Sequence, residues 1–261
     1  MRPLLTPELA KKLCGINNRF YRDNCESFSA TRVSPWTGWR ISLETLKQTD
    51  LLDAEELAVF DMACGNLRFA SFLGEELPDK DLTVFAVDDC DTLVPQRSGV
   101  RFQSIDIVDL LLAGTALSER IDAPACDLSV CFGFMHHIPG QDSRTRLLES
   151  LLRQTRSGGY VVVSFWRFLE NEALAKKARL THAQALDELG LDEEEISELN
   201  TGDCFLGWKD TVGSYRYCHS FASAEIDELL ASVADRASVV DRFIADGRTN
   251  DLNEYVILRV D

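Results

Sequence analysis

The sequence predicts an α/β fold: a doubly wound, mostly parallel sheet with an antiparallel last strand, plus a helical insertion. Three observations carry this. Strand-length apolar runs alternate with helix-length segments from Leu57 to Gly159, the pattern of parallel strands joined by helical crossovers. Two apolar runs, 238–244 and 254–260, flank the turn-rich Asp246-Gly247-Arg248-Thr249-Asn250, which reads as a hairpin and reverses the final strand. Between these regions the alternation lapses over 167–221.

The elements follow in order. Residues 1–50 form an N-terminal helical cap. Strands lie over 58–61, 83–88, 100–106, 127–132 and 160–165, with helices over 68–77, near 108–117 and over 143–155. Ser157-Gly158-Gly159 ends the last of these helices before its strand. In the insertion, 168–180 reads as a helix carrying Lys176, Lys177 and Arg179, and 187–203 has eight acids and no base. A stretch rich in glycine and aromatics follows over 202–221, then a helix over 223–234. The chain reads as a single domain, 1–261, with 167–221 as a lid over the strand ends, where such sheets bind ligands.

Composition narrows the class. With 261 residues, 45% of them hydrophobic, the chain can bury a substantial core. No apolar run reaches the roughly 20 residues of a membrane span, and Met1–Glu8 is too short and too early charged for a signal peptide. Eight cysteines stand singly with no CxxC pair. That pattern predicts reduced thiols in a cytoplasm, with no metal centre and no disulfide framework. The net charge of −16 is uneven: residues 1–47 carry +4 and the rest −20. The basic segment is either a solvated helix face or a landing strip for an anion. The acidic remainder opposes extensive nucleic-acid binding by this chain alone.

The chemistry concentrates at successive strand ends. Phe60-Asp61-Met62-Ala63-Cys64-Gly65-Asn66 reads as strand, tight turn and helix start, which brings backbone N–H groups against a polar ligand. The glycine pattern of nicotinamide-binding loops is absent. Asp88 ends the second strand and suits a ribose with free hydroxyls. Asp106-Ile107 follows the third, fit for an adenine amino group and ring face; Cys131-Phe132-Gly133 follows the fourth. The joint set predicts a nucleoside ligand.

These motifs, with the run from Asp127 to His137, resemble the class I S-adenosylmethionine-dependent methyltransferases. The resemblance implies a seven-stranded Rossmann-like sheet and S-adenosyl-L-methionine as cofactor. It sets Asp61, Ala63, Gly65 and Asn66 at the methionine end, Asp88 on ribose, Asp106 and Ile107 around adenine, and Cys131 and Phe132 beneath the cofactor. Ala63 and Leu67 stand where relatives often have glycine, so at Leu67 either the turn needs no positive φ or the loop differs.

Two further segments, Phe28 to Trp36 and Gly202 to Phe221, together with His136-His137, are similar to the tRNA wobble-uridine methyltransferases that esterify a carboxymethyl group. These include the methyltransferase domain of AlkB-homologue proteins. This chain has Gly207 where that family has proline, and Tyr217-Cys218 where it has two tyrosines. The resemblance implies a tRNA acceptor and, as in eukaryotic members, a small partner subunit. A metabolite acid or phenol is the alternative acceptor, and a cofactor-binding regulator without turnover the alternative of another class.

A carboxylate is already ionised at neutral pH, so its methylation rests on positioning and exclusion of water. Arg216, His219 and His136 are the candidate catalytic groups, arginine best by its bidentate fork, with a hydrogen-bonded structural role the alternative for His219. Arg32 is expected on the cofactor's carboxylate, on a neighbouring acid or on the substrate. Trp36, Trp208 and Tyr217 are expected against the acceptor, or in the lid's own core. Of His136 and His137, one faces the site and the other packs or caps the following helix.

Overall fold

The computed structural model describes residues 5–30, 34–90, 94–208, 211 and 213–261. Five parallel strands come first: β1 (Glu56–Met62), β2 (Asp81–Asp88), β3 (Val100–Ser104), β4 (Cys126–Cys131) and β5 (Thr155–Trp166). A separate antiparallel hairpin, β6 (Asp203–Gly207) and β7 (Tyr215–His219), interrupts them. The chain returns with β8 (Ala237–Ala245) and β9 (Asn253–Val260), and β9 runs antiparallel between β5 and β8. The seven-stranded sheet has the order β3-β2-β1-β4-β5-β9-β8. Its direction of winding reverses between β1 and β4, which creates a crevice beyond their carboxyl ends.

Strand periodicity feeds two cores. In β5, Val161, Val163 and Phe165 join a cluster with Leu147, Leu151, Ile226 and Leu229, from helices α5 (Gln141–Gln154) and α8 (Ser223–Ala231). Tyr160 and Val162 face the other way, toward Trp39, Leu43, Phe69 and Phe72. Those belong to α2 (Thr37–Leu46) and α3 (Arg68–Glu76). Both faces are covered, so the central strands read as near-continuous apolar runs.

The N-terminal helix α1 (Pro7–Ser29) exposes Lys11, Arg19 and Arg22, the solvated basic face, and buries its apolar side. Leu9, Leu13 and Ile16 pack with Phe205, Tyr215 and Tyr217 of the hairpin. The short α4 (Ile107–Leu112) ends earlier than its apolar run, and a turn of 3-10 helix follows at Leu117–Glu119. The insertion's first helix, α6 (Glu172–Leu189), starts and ends later than expected. The Asn171 side chain caps its N-terminus at Leu174 N–H, and Gly190 at φ +63° ends it. The acidic run is partly structural. Asp192 and Glu195 form a capping box on α7 (Glu193–Glu198), and Glu195 pairs with Lys12 of α1 at 2.6 Å. Among the described residues no helix is long and apolar enough to cross a membrane, and the seven described cysteines are free thiols.

Asp246 ties α2 to the sheet. Its carboxylate accepts from Gly38 N–H at 2.9 Å, Tyr255 O–H at 2.6 Å and Asn253 Nδ2 at 2.8 Å. A Cβ on Gly38 would fall 2.1 Å from the Tyr255 ring. Gly38→Ala is therefore expected to cost about 2 kcal/mol or more by overpacking, read as a fall in melting temperature of several degrees.

Candidate active site

A cavity opens beyond the carboxyl ends of β1, β2, β3 and β4, at the winding reversal. The first loop after β1 forms its floor. Three of its residues take the left-handed conformation: Ala63 at φ +59°, Gly65 at φ +53° and Leu67 at φ +60°. Leu67 thus does adopt a positive φ, against the first of the two alternatives the sequence left open. Its side chain is fully buried among Leu73, Val84 and other core residues. That burial offsets the roughly 1–2 kcal/mol of left-handed backbone. Ala63 is half-buried and has less to offset the strain. Ala63→Gly is accordingly expected to raise stability by about 1 kcal/mol, visible as a rise of a few degrees in thermal melting.

The loop is held by the next strand. Cys64 N–H donates to the Val87 carbonyl at 3.1 Å, and Gly65 N–H to Asp88 Oδ2 at 2.8 Å. Asp88 Oδ1 accepts from Cys90 N–H at 3.1 Å. Asp88 therefore braces two loops in addition to lining the cavity. Asp106 caps α4 by accepting Asp109 N–H at 2.9 Å, and also lines the cavity with Ile107. Phe132 lies among Phe69, Trp39 and Tyr255, with ring centroids 4.8, 5.6 and 5.9 Å away. Gly133, at φ +67°, lets Trp36 close in: a Cβ there would lie 2.8 Å from the indole.

The electrostatics are acidic. Burial, and then the charge of Asp88, push the Asp61 carboxyl up to about 7. Its Oδ2 is buried with no hydrogen-bond partner. Burial, then the charge of Asp88 and a hydrogen bond with it, also push Asp89 to about 7.

Of the residues singled out in the sequence, Trp36, Asp61, Ala63, Gly65, Asn66, Asp88, Asp106, Ile107 and Phe132 line this one cavity. Others do not. Cys131 is wholly buried and does not line the cavity. Arg216 lies within a cage of rings, 5.2 Å from Phe20, 5.7 Å from Trp208 and 5.8 Å from Trp166. Trp208 is occupied in that cage and donates to Ser27 Oγ at 3.0 Å. His219 bridges Asp203 at 2.6 Å and Glu225 at 2.8 Å, and Tyr217 donates to Asp203 at 2.7 Å. Arg32 lies outside the described residues.

Of the two histidines it is His137, not His136, that lines the cavity. His136 packs on Trp166 at 4.9 Å. The two rings and the Cys218 thiol also gather ligand atoms within 4.8 Å of one another, a proximity that the isolated cysteines and paired histidines did not reveal. Sequence reasoning missed the contribution of α1: Cys14, Asn17, Asn18 and Tyr21 all line the cavity. Their spacing of three, four and seven residues puts them on one helical face, and that polar stripe was the available signal.

The residues present fit S-adenosylmethionine. A buried carboxylate with one unpartnered oxygen, Asp61, suits its cationic methionine end, two strand-end acids suit hydroxyl and amino donors, and Ile107 with Phe132 offers apolar surface to a purine. The fold is that of the class I S-adenosylmethionine-dependent methyltransferases: the strand order, the antiparallel β9 and the crevice position are all shared with them. No family model matches the chain. It is 28% identical over 162 residues to a tRNA (carboxymethyluridine(34)-5-O)-methyltransferase, alkbh8, of Xenopus tropicalis, covering 62% of this chain and 22% of that protein. It is 24% identical over 161 residues to a tRNA (carboxymethyluridine(34)-5-O)-methyltransferase of Arabidopsis thaliana, covering 62% and 34%. The match thus spans only 22% and 34% of the length of these curated relatives. Among solved structures, a methyltransferase of Methanosarcina mazei superposes with TM-score 0.55 at 15% identity, covering 80% of this chain and 93% of that one. The 1,6-didemethyltoxoflavin-N1-methyltransferase of Burkholderia thailandensis gives 0.54 at 16% identity, covering 100% and 92%.

Proposed function

We propose that this protein transfers the methyl group of S-adenosylmethionine to a small acceptor held between α1 and the strand ends. The cofactor supplies an activated methyl on a sulfonium sulfur. Asp61, Gly65 and Asn66 hold its methionine end, Asp88 its ribose, and Asp106, Ile107 and Phe132 its adenine. Residues 1–50 act as a cap and 167–221 as a lid that exclude water, and the free thiols suit a cytoplasmic enzyme. One observation carries the choice of a small acceptor. Arg216 and His219, the groups suited to orient a carboxylate, do not line the cavity, and among its described lining Arg68 is the one cation against four carboxylates.

A second reading is methyl esterification of a carboxylate on a modified wobble uridine of tRNA, with or without a small partner subunit. Its support is the printed activity of the two relatives above and the flanking segments; the −16 charge opposes it.

Methyl-labelled cofactor separates the readings. With the protein, a small-molecule extract and bulk tRNA, label is expected in the extract. Base-labile label in tRNA alone would favour the ester reading. If neither the cofactor nor its demethylated product raises the melting temperature, the pocket assignment fails.

A further inference from the structure

Arg68 is the one cation in the described lining of the cavity, and the cofactor contacts leave it unused. It is the first residue of α3, directly after the loop 63–67. Its guanidinium lies over two indoles, 5.1 Å from the ring centroid of Trp39 and 5.5 Å from that of Trp36. Nη1 donates to the Ser34 carbonyl at 2.9 Å. Among the described residues no carboxylate pairs with it. A guanidinium carries five N–H donors in a planar fork, so one carbonyl leaves most of them for a ligand. Burial pulls its pKa down, because a half-buried cation loses hydration that no counter-charge returns. Stacking on the indoles fixes the plane of the fork. No side chain caps the amino end of α3, so the positive pole of that helix adds to the charge of Arg68. The opposite sign stands at the other end of the same loop. Asp61, near the end of β1, is buried with one oxygen unpartnered and lines the same cavity. The other carboxylates of the lining, Asp88, Asp89 and Asp106, lie at or just beyond the ends of β2 and β3. A carboxylate entering this cavity is repelled everywhere except beside Arg68.

We propose that Arg68 binds the α-carboxylate of the cofactor's methionine end, and that with Asp61 on the α-ammonium it selects a zwitterionic amino-acid tail. This rests on the methyltransferase reading above and extends it to a residue that reading does not use. The two charges of the tail sit on one carbon, and the two side chains flank one loop. The fork of Arg68 engages a carboxylate through two parallel N–H donors, whereas a lysine would offer a point charge without that geometry. A carboxylate on the acceptor presents the same chemistry, and the test separates the two sources.

Titration calorimetry reads the assignment without turnover. The probes are S-adenosylhomocysteine and its decarboxylated analogue, which keeps the amine and lacks the carboxylate. The unmodified protein is expected to bind the first about 10- to 100-fold more tightly, the range of a charge-assisted pair. In Arg68→Met the gap is expected to close, by loss of affinity for the carboxylate-bearing probe, and Arg68→Lys is expected to reopen part of it. Arg32→Met, at the position the sequence sets on the same carboxylate, is expected to leave the gap open. An Arg68→Met variant that weakens both probes alike overturns the proposal and makes Arg68 a brace for Ser34 and Trp36. So does a gap that persists in Arg68→Met, whether or not Arg32→Met closes it. If, with the gap unchanged, the KM of Arg68→Met rises for indoleacetate and not for umbelliferone, the carboxylate that Arg68 binds is the acceptor's and the cofactor assignment falls. Failure of the unmodified protein to bind either probe, or methylthioadenosine, instead removes the methyltransferase reading beneath the proposal.

Discussion

Arg144→Met is expected to be the most destabilising single substitution in this chain. Arg144 is 1% exposed, yet each donor group is used. Nε donates to the Ile138 carbonyl at 3.0 Å, Nη1 to Glu225 at 2.9 Å and Nη2 to Tyr217 Oη at 3.1 Å. Its guanidinium also lies 3.6 Å from Asp203 and over the Phe221 ring at 5.3 Å. Asp203 and Glu225 in turn clasp His219 from both sides. Removing the arginine leaves buried carboxylates without their main counter-charge, a loss of about 3–5 kcal/mol. For a domain of this size that is a fall in melting temperature of roughly 6–15 °C. Arg144→Met combined with Glu225→Gln should recover part of the loss, because one stranded charge leaves with it. If the double variant is no better than the single, loss of packing and not stranded charge is the cause.

The same network sets an acid limit. Burial raises the Asp203 carboxyl; the hydrogen bond and charge of His219, the charge of Arg144 and the Tyr217 hydroxyl bring it down to about 2. A carboxyl held below its ordinary value stabilises the fold above that value. The stabilisation fades as pH falls from about 4 to about 2, and amounts to roughly 2 kcal/mol. In Arg144→Met the acid transition should therefore begin at a higher pH than in the unmodified protein.

His219 and Tyr217 show why catalytic assignments outran the sequence while the fold did not. The strand ends were legible because apolar alternation and acidic punctuation are local, and the winding rule then brings Asp61, Asp88 and Asp106 to one edge. The roles of Arg216, His219 and Tyr217 depended on which face of β7 met α1 and which met α5, a fact that no local pattern encodes. The motif that suggested chemistry is largely a buried polar scaffold joining hairpin to body: Asp203 lies on β6, Tyr217 and His219 on β7, Arg144 on α5 and Glu225 on α8. Leu67 failed differently. Its left-handed backbone is set by the turn's geometry, and core burial pays the strain that glycine would avoid. The cavity's α1 wall was hidden because Cys14, Asn17, Asn18 and Tyr21 are ordinary polar residues whose helical spacing acquires meaning only once α1 is docked.

Asp61→Asn is expected to separate stability from cofactor binding. The side chain is 2% exposed, with one oxygen unpartnered. Burial chiefly, and the charge of Asp88 secondly, raise its carboxyl from an ordinary 3.8 to about 7. A raised carboxyl means that the folded chain binds the proton more tightly than the unfolded chain. Stability therefore declines as pH climbs from about 4 to about 7, and the full cost, of order 4 kcal/mol, is present above that. An asparagine of the same shape escapes it. Without ligand, the variant should melt several degrees above the unmodified protein near pH 8 and level with it near pH 4. Cofactor affinity should move the other way. A charge-assisted hydrogen bond to a cationic ligand is worth about 1.5–3 kcal/mol, so titration calorimetry near pH 8 should show S-adenosylmethionine bound roughly 10- to 100-fold more weakly. Were the variant both more stable and undiminished in affinity, Asp61 would be a buried cost with no ligand to justify it, and the cationic end of the cofactor would have to be held elsewhere on the cavity wall. Were it less stable at both pH values, the unpartnered oxygen would have to find a donor that the fold does not show.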